Sequence, residues 1–533
     1  GDLIYLDLVT PEVDRSTVYD RVRDGAGFLP AYVQETWQND PFAASTVERR
    51  LHTDTTVTNG GRSYLRLSTA SHVSTRVRQT LFGEPGPYYA TLEPGRPYRL
   101  SLWLRNPNPG TNTVRVYTDP PYQTTIDTTF PATSEWTLHT FDFLGPAYPY
   151  GWSPIQLFIG FDGPGAIDLD NVLLYETSPG REPFDFMPEM RDEFLRFRPG
   201  CIRIWSGQSN IGGGITLDDW LESDSLNDMM WDVNQGPVRG PGMHLPRALE
   251  LVDEVDSIPW LIVSTLLDEA EWSGLMEYLA APYDEAMGDS VTNKPWAWRR
   301  VQHRGGNTTP WTDAFETIRL EFGNETWASD HFVPQGFPGL ENPPLAGAAH
   351  MGLFAEYFFN IAQSSPYWTS NIEFIVNGWW ASPWPNGFGA TAVENAPSAD
   401  FVDITAYAGG WEQNLQLGGG EFTDQSFWDV LLFGPRFYQP WAQNHVNTVN
   451  ALRAGGRDIR LAVYEGGPGY DEPMPSQPYN PDVEVFGKSL AAGVMTLDNF
   501  LFNAQRGFGP QAFFHFGEGF NWTTHGFLAN GFT

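Results

Sequence analysis

Thr317-Ile318-Arg319-Leu320-Glu321-Phe322-Gly323-Asn324-Glu325-Thr326-Trp327 is the stretch on which the fold turns. Thr317 to Glu321 has the length and composition of a buried strand, and the chain then breaks at a glycine. Beyond the break an amide, a carboxyl and an indole stand almost side by side. Such a strand end suits sugar chemistry: a carboxyl can protonate a glycosidic oxygen, an amide can hold a hydroxyl, and an indole can stack on a sugar face. A single carboxyl does not complete that chemistry.

The same pattern, an apolar run followed by a longer helical one, recurs from about residue 178 onward. Cys201 to Trp205, Pro259 to Val263, Ile372 to Val376, Val402 to Tyr407, Ile459 to Tyr464 and Ala512 to Phe516 read as strands, and Leu245 to Val255 and Gly347 to Gln363 as amphipathic helices. Repeated β-then-α units predict an α/β fold, a (β/α)8 TIM barrel over 178–533, with parallel strands buried under helices. The eighth strand is expected from Leu3 to Leu8 within segment 1–27, with the intervening residues inserted after it. Over 28–177 the period changes to short alternating strands such as Tyr64 to Ser68, Tyr98 to Leu104, Thr113 to Tyr117 and Trp136 to Phe141. Turns such as Glu93-Pro94-Gly95 separate them, so this segment is predicted to be an antiparallel β-sandwich.

Composition narrows the ligand. The net charge of −34 leaves no basic face for a phosphate backbone, so nucleic acid is not the expected partner. No run of about 18 apolar residues occurs, so no membrane span is predicted. Cys201 is the only cysteine, which excludes an intrachain disulfide. The chain starts at Gly1 without a basic n-region and apolar h-region, which fits a mature, processed protein as well as a cytosolic one, and a secreted, extracellular or periplasmic location is the expectation. With 21 Trp, 21 Tyr and 36 Phe beside 54 Gly and 43 Pro, the loops are rich in flat apolar surface, and a carbohydrate polymer or oligosaccharide is the partner this favours. Oligomeric state is not encoded in any of these features.

In a barrel the chemistry sits at the C-terminal strand ends. Those positions hold Arg203 on the second strand, with Asn324 and Glu325 ending the fourth, Tyr407 the sixth, Glu465 the seventh, and His515 and Glu518 the eighth. Glu465 ends the run Leu461-Ala462-Val463-Tyr464 and is followed by Gly466 and Gly467, which allow close approach of a ligand. Glu325 and Glu465 are therefore the expected catalytic pair, with Glu518, flanked by Gly517 and Gly519, as the rival. Trp327, Trp379, Trp380, Trp384, Trp411 and Trp522 are the expected sugar platforms. The histidines show no metal-ligand spacing, so no catalytic metal or cofactor is expected.

Gly323-Asn324-Glu325 together with Tyr464-Glu465-Gly466 resembles the large clan of (β/α)8 retaining glycosidases, which carry an Asn-Glu acid/base on strand four and a Glu nucleophile on strand seven. Within it, the order Asp170-Asn171-Val172, Met187-Pro188-Glu189 and Phe197-Arg198-Pro199-Gly200-Cys201-Ile202-Arg203 is similar to the family 51 α-L-arabinofuranosidases. Those read Arg-Phe/Trp-Pro-Gly-Gly where this chain has Arg203-Ile204-Trp205-Ser206-Gly207. The resemblance implies Glu325 as acid/base with a raised pKa, Glu465 as nucleophile kept ionised by Arg203 and Tyr407, and Asn324 on a sugar hydroxyl. The run Leu92-Glu93-Pro94-Gly95 and the closing Ile167-Asp168-Leu169-Asp170-Asn171-Val172 resemble family 4/9-type carbohydrate-binding modules, which implies a structural calcium at the closing strand. The expected function is retaining hydrolysis of a plant or algal polysaccharide, arabinofuranosidase-like or endo-acting as in a xylanase or agarase. The alternative is a non-catalytic carbohydrate-binding or extracellular structural protein on the same scaffold.

Overall fold

The computed structural model describes residues 38–39, 46–51, 63–71, 74–80, 95–108, 110, 112–118, 126–145, 156–180, 188–204, 217–221, 231–232, 236–237, 245–265, 267–327, 344–408, 436, 439–468, 490–514, 527–528 and 531–532. They fall into two compact units, one antiparallel and one parallel.

In the antiparallel unit, β1 (Gln38–Asn39), β4 (Ser74–Thr80), β9 (Gln156–Asp162), β6 (Asn112–Thr118) and β7 (Asp127–Ala132) form one sheet in that order. The second sheet runs β2 (Thr46–Leu51), β3 (Ser63–Thr69), β10 (Gly165–Glu176), β5 (Pro97–Arg105) and β8 (Thr137–Leu144). Period-two alternation puts Leu100, Leu102 and Leu104 of β5 into one fully buried core with Leu67, Val114, Val116, Ile159 and Ile167. On the other face of β10, Asp168 is buried and salt-bridged at 2.6 Å to both Arg66 and Arg105, the pairing that a desolvated carboxylate requires. Next to it β10 shifts register between Asp170 and Leu173, with Asn171 at φ 42°. Among the described residues no group of three acidic, His or Cys side chains gathers there or elsewhere as a metal cage.

The short pair β12 (Trp231–Asp232) and β13 (Gly236–Pro237) interrupts the parallel series, and β20 (Phe527–Leu528) pairs with β21 (Gly531–Phe532) near the end of the chain. The parallel sheet itself runs β11 (Cys201–Ile204), β14 (Ile258–Val263), β15 (Ile318–Phe322), β16 (Ile372–Asn377), β17 (Phe401–Ala408), β18 (Arg460–Pro468) and β19 (Phe508–Phe513), each parallel to the next. Its outermost strands, β11 and β19, touch, so these seven strands curl into a nearly closed barrel. A TIM-type barrel with an antiparallel β-sandwich is thus the fold, as the sequence pattern predicts. The expected first strand, Leu3 to Leu8, lies outside the described residues.

Each strand sends alternate residues inward and outward. Trp260, Ile375, Phe401, Ala462, Tyr464 and Ala512, from five strands including the edge strand β19, meet inside the barrel. Facing outward, Phe322 packs with Trp272 of the helix Glu269–Ala280 and with Phe358 and Phe359 of the helix Pro344–Ser364. That aromatic cluster fixes β15 from behind, just before its functional end. The first of these helices starts at a capping box in which Asp268 and Glu271 satisfy each other's backbone N–H groups. No described helix is long and apolar enough to cross a membrane.

One strand begins earlier than its sequence suggests. Gly507, at φ 92°, ends the helix Leu490–Gln505 and β19 starts at once at Phe508. The Gly509-Pro510 pair reads as a turn but sits within the strand, where β18 and β19 pair with register shifts that tolerate a residue lacking an N–H.

The helices Pro344–Ser364 and Phe388–Asn395 approach closely at Gly352, where an added Cβ would lie 2.3 Å from the Ala392 carbonyl oxygen. In an open helix Gly→Ala stabilises by about 1 kcal/mol. Here the sign reverses: Gly352→Ala is expected to destabilise the protein by about 1–3 kcal/mol, read as a lowered denaturation midpoint.

Candidate active site

The site begins with the backbone after β15. Gly323 (φ 72°) turns the chain, its N–H donating to the Val263 carbonyl at 2.9 Å, and a side chain there would collide with Thr265 and Thr326 at 2.7 Å. Glu325 then adopts φ 47°, a left-handed conformation that costs a non-glycine residue about 1–3 kcal/mol and persists only where its neighbours hold it. On one side Asn324 Oδ1 accepts from Arg203 Nη2 at 2.5 Å. On the other, the Thr326 N–H and hydroxyl both donate to Asn377 Oδ1, at 3.1 and 3.0 Å.

Glu465 arrives from β18 through an irregularity. Ile404 pairs with Val463 but Thr405 pairs with Glu465, so one extra residue, Tyr464, bulges in β18. The bulge lets two consecutive side chains serve one cavity. Glu465 Oε2 accepts from the Tyr407 hydroxyl at 2.9 Å and Oε1 from Arg203 Nη1 at 3.3 Å. The Tyr464 hydroxyl donates to Glu325 Oε1 at 3.3 Å and accepts from Trp327 Nε1 at 3.1 Å, while its ring lies 4.9 Å beneath the Arg203 guanidinium.

Below these groups is a buried polar layer. Glu321, with no exposure, accepts twice from Arg203 at 2.7 Å, once from Trp260 Nε1 at 2.7 Å and once from Asn377 Nδ2 at 2.8 Å. Asn377 Nδ2 also donates to Asp403 Oδ1 at 3.1 Å, whereas Asp403 Oδ2 has no hydrogen-bond partner. Burial, with the Glu321 charge beside it, holds the Asp403 carboxyl well above the usual carboxylate range. A neutral acid is the form that a buried, half-bonded carboxyl can adopt.

Burial and then the charge of Glu325 push Glu465 up to about 7, against the opposing pull of Arg203 and the Tyr407 hydroxyl. The expectation that Arg203 and Tyr407 keep Glu465 ionised therefore holds for the contacts and not for the titration, because desolvation outweighs both partners. Burial and the carboxylates nearby also raise the Tyr407 and Tyr464 hydroxyls, which stay protonated donors.

Arg203, Asn324, Glu325, Tyr407 and Glu465 thus meet at one end of the barrel, with Trp327 beside them. Trp327 stacks on Trp379 at 5.6 Å and 8°. Trp380 sits differently from the expected platform: it is 8% exposed, its ring packs against His445 and Trp441, and its carbonyl faces the His445 ring at 3.0 Å. Two adjacent tryptophans after β16 point in different directions, and only Trp379 joins the aromatic wall. Trp411, His515, Glu518 and Trp522 lie outside the described residues. Sequence reading passed over Tyr464, Glu321, Asn377 and Asp403. Glu321, Asn377 and Asp403 carried a signal, since each is a polar residue in an otherwise apolar strand run; Tyr464 looked like an ordinary inward strand aromatic, and only the bulge brings Glu465 onto the same cavity.

No family profile and no curated protein matches this chain. Among solved structures it is similar to an arabinose-bound GH51 α-L-arabinofuranosidase, at 12% identity, over 84% of this chain and 71% of that one, with a TM-score of 0.48. The GH51 arabinofuranosidase from Xanthomonas axonopodis pv. citri aligns at 13% identity over 63% of this chain and 62% of its own length, TM-score 0.44. An α-L-arabinofuranosidase from Thermotoga maritima in complex with arabinose aligns at 13% identity over 67% and 63%, TM-score 0.44. The chain spans less than two thirds of the last two.

The raised Glu465 makes a stability prediction. Between its ordinary 4.5 and about 7, the folded protein keeps a proton that the unfolded chain has lost, so this group lowers stability as pH rises through that window. Denaturation of Glu465→Gln across the window should give a flatter pH dependence than wild type, the difference growing to the order of 3 kcal/mol. Parallel curves for the two proteins would show that Glu465 does not titrate there.

Proposed function

We propose that the protein is a retaining glycoside hydrolase acting on plant or algal polysaccharide, with Glu325 as acid/base and Glu465 as nucleophile. The observation that carries this reading is the unequal dressing of two neighbouring carboxyls. Glu465 has a cation on one oxygen and a hydroxyl on the other, as suits a carboxylate that must attack. Glu325 meets the neutral hydroxyl of Tyr464, as suits a group that must exchange a proton.

In the first step a Glu465 oxygen forms a bond to the anomeric carbon as the glycosidic C–O bond breaks, and the Glu325 proton passes to the leaving oxygen. In the second, Glu325 takes a proton from water, whose oxygen displaces Glu465 from the anomeric carbon. Asn324 binds the neighbouring sugar hydroxyl. Arg203 compensates the charge on Glu465 before the first step and again as the carboxylate leaves in the second. The stacked Trp327–Trp379 wall lies beside the pair and supplies an apolar face for a sugar ring. Arabinofuranoside-type or endo-acting xylanase- or agarase-like specificity, a carbohydrate-binding role for the β-sandwich, and an extracellular or periplasmic place of action complete the proposal.

A panel of aryl α-L-arabinofuranosides, β-D-xylosides and β-D-galactosides, with polysaccharides read by reducing-sugar release, tests for activity. Glu325→Ala should lower kcat/KM by about 10²–10⁴-fold on a phenyl glycoside. Added azide should restore turnover, giving a glycosyl azide of retained configuration in Glu325→Ala and of inverted configuration in Glu465→Ala; full activity of either variant without azide removes the assignment. Activity requires one proton shared by the pair. Since Glu465 is raised to about 7, kcat/KM should fall with rising pH above that value, when the last proton leaves.

A further inference from the structure

We infer that Asn377 is the positioning residue of the acid/base, closing a ring of hydrogen bonds that holds the left-handed backbone of Glu325. The inference rests on the reading of Glu325 as acid/base. The ring runs from Arg203 Nη2 to Asn324 Oδ1, through the backbone of Glu325 to Thr326, from the Thr326 N–H and hydroxyl to Asn377 Oδ1, from Asn377 Nδ2 to Glu321 Oε1, and from Glu321 back to Arg203 Nη2. Glu325 is the one member of the ring that no ring bond touches directly. Its backbone is held from both sides, while its carboxyl meets the Tyr464 hydroxyl outside the ring.

Only an amide fits the closing position. The oxygen of Asn377 accepts two bonds and its nitrogen donates two, to Glu321 and to Asp403, so all four of its hydrogen-bonding positions are used and the amide orientation is fixed by its partners. A carboxylate at 377 would face Glu321 and Asp403 without a proton to offer. An apolar side chain would remove the acceptor that the Thr326 N–H and hydroxyl share, and with it the restraint that Asn377 places on the left-handed backbone of Glu325. Asn377 is fully buried and lies below the carboxyl pair, and it acts through Thr326 rather than on a ligand.

A misplaced acid penalises leaving groups that need a proton and spares those that do not. The full-length protein is therefore assayed on phenyl and dinitrophenyl glycosides of whichever panel sugar the wild type cleaves fastest, by kcat/KM, which reports the step in which Glu325 gives up its proton. Asn377→Ala should lose on the order of 100-fold on the phenyl glycoside and only a few-fold on the dinitrophenyl glycoside. Thr326→Val, which exchanges one of the two donors for a methyl, should show the same bias at smaller size, and it decides the matter by the same ratio if Asn377→Ala does not fold. Equal losses on both leaving groups, or no loss on either, would overturn the positioning role while leaving the glycosidase reading in place. Wild-type silence on every glycoside would overturn both together.

Discussion

The guanidinium of Arg203 is the cation around which this barrel end is assembled. Its side chain is 6% exposed and reaches Glu321, Glu465 and the Asn324 amide while covering the Tyr464 ring. Placing several carboxyls in a barrel interior is unfavourable unless a planar donor can bind more than one of them at defined angles. Arg203 binds Glu321 through two parallel bonds and has Nη1 left for Glu465, a division that a lysine could not reproduce. Even so, one cation does not neutralise the group. Burial, and then the carboxylates beside them, make Asp403 and Glu465 hold their protons more tightly.

Support for this arrangement comes from outside the barrel. The Trp272, Phe322, Phe358 and Phe359 rings lock β15 to two helices, so that the turn at Gly323 starts from a fixed point. His445 and Trp441 do the same for the segment after β16 by engaging Trp380, which leaves Trp379 to stack on Trp327. Burial lowers His445 to about 4, so this prop carries no charge near neutral pH and adds no field to the site. Packing energy in the outer layer is thereby converted into angular precision at the strand ends.

Strand runs, helix positions such as Leu245–Val255 and the Asn324-Glu325 strand end were legible because hydrophobic periodicity and glycine breaks are local, whereas β18 runs on past Glu465 to Pro468. What escaped the sequence is nonlocal. The register slip that admits Tyr464 depends on how β17 meets β18, and the Asn377 clamp depends on three strands lying side by side. Trp379 and Trp380 are indistinguishable in one dimension, yet one joins the site wall and the other props the loop. The early start of β19 was hidden by Gly509-Pro510, which imitates a turn and is accommodated by imperfect pairing.

The bulge in β18 has a mechanical meaning as well as a geometric one. In a regular strand, neighbouring residues serve opposite faces, and two groups of one site are at least two positions apart with a backbone unit between them free to twist. Here Tyr464 and Glu465 are covalent neighbours, one touching Glu325 and the other carrying the opposing carboxyl. A displacement of this strand moves both together. The spacing between this strand and the turn that carries Glu325 is thus gauged by a single peptide unit, and the tyrosine hydroxyl acts as a feeler that registers where the far carboxyl stands.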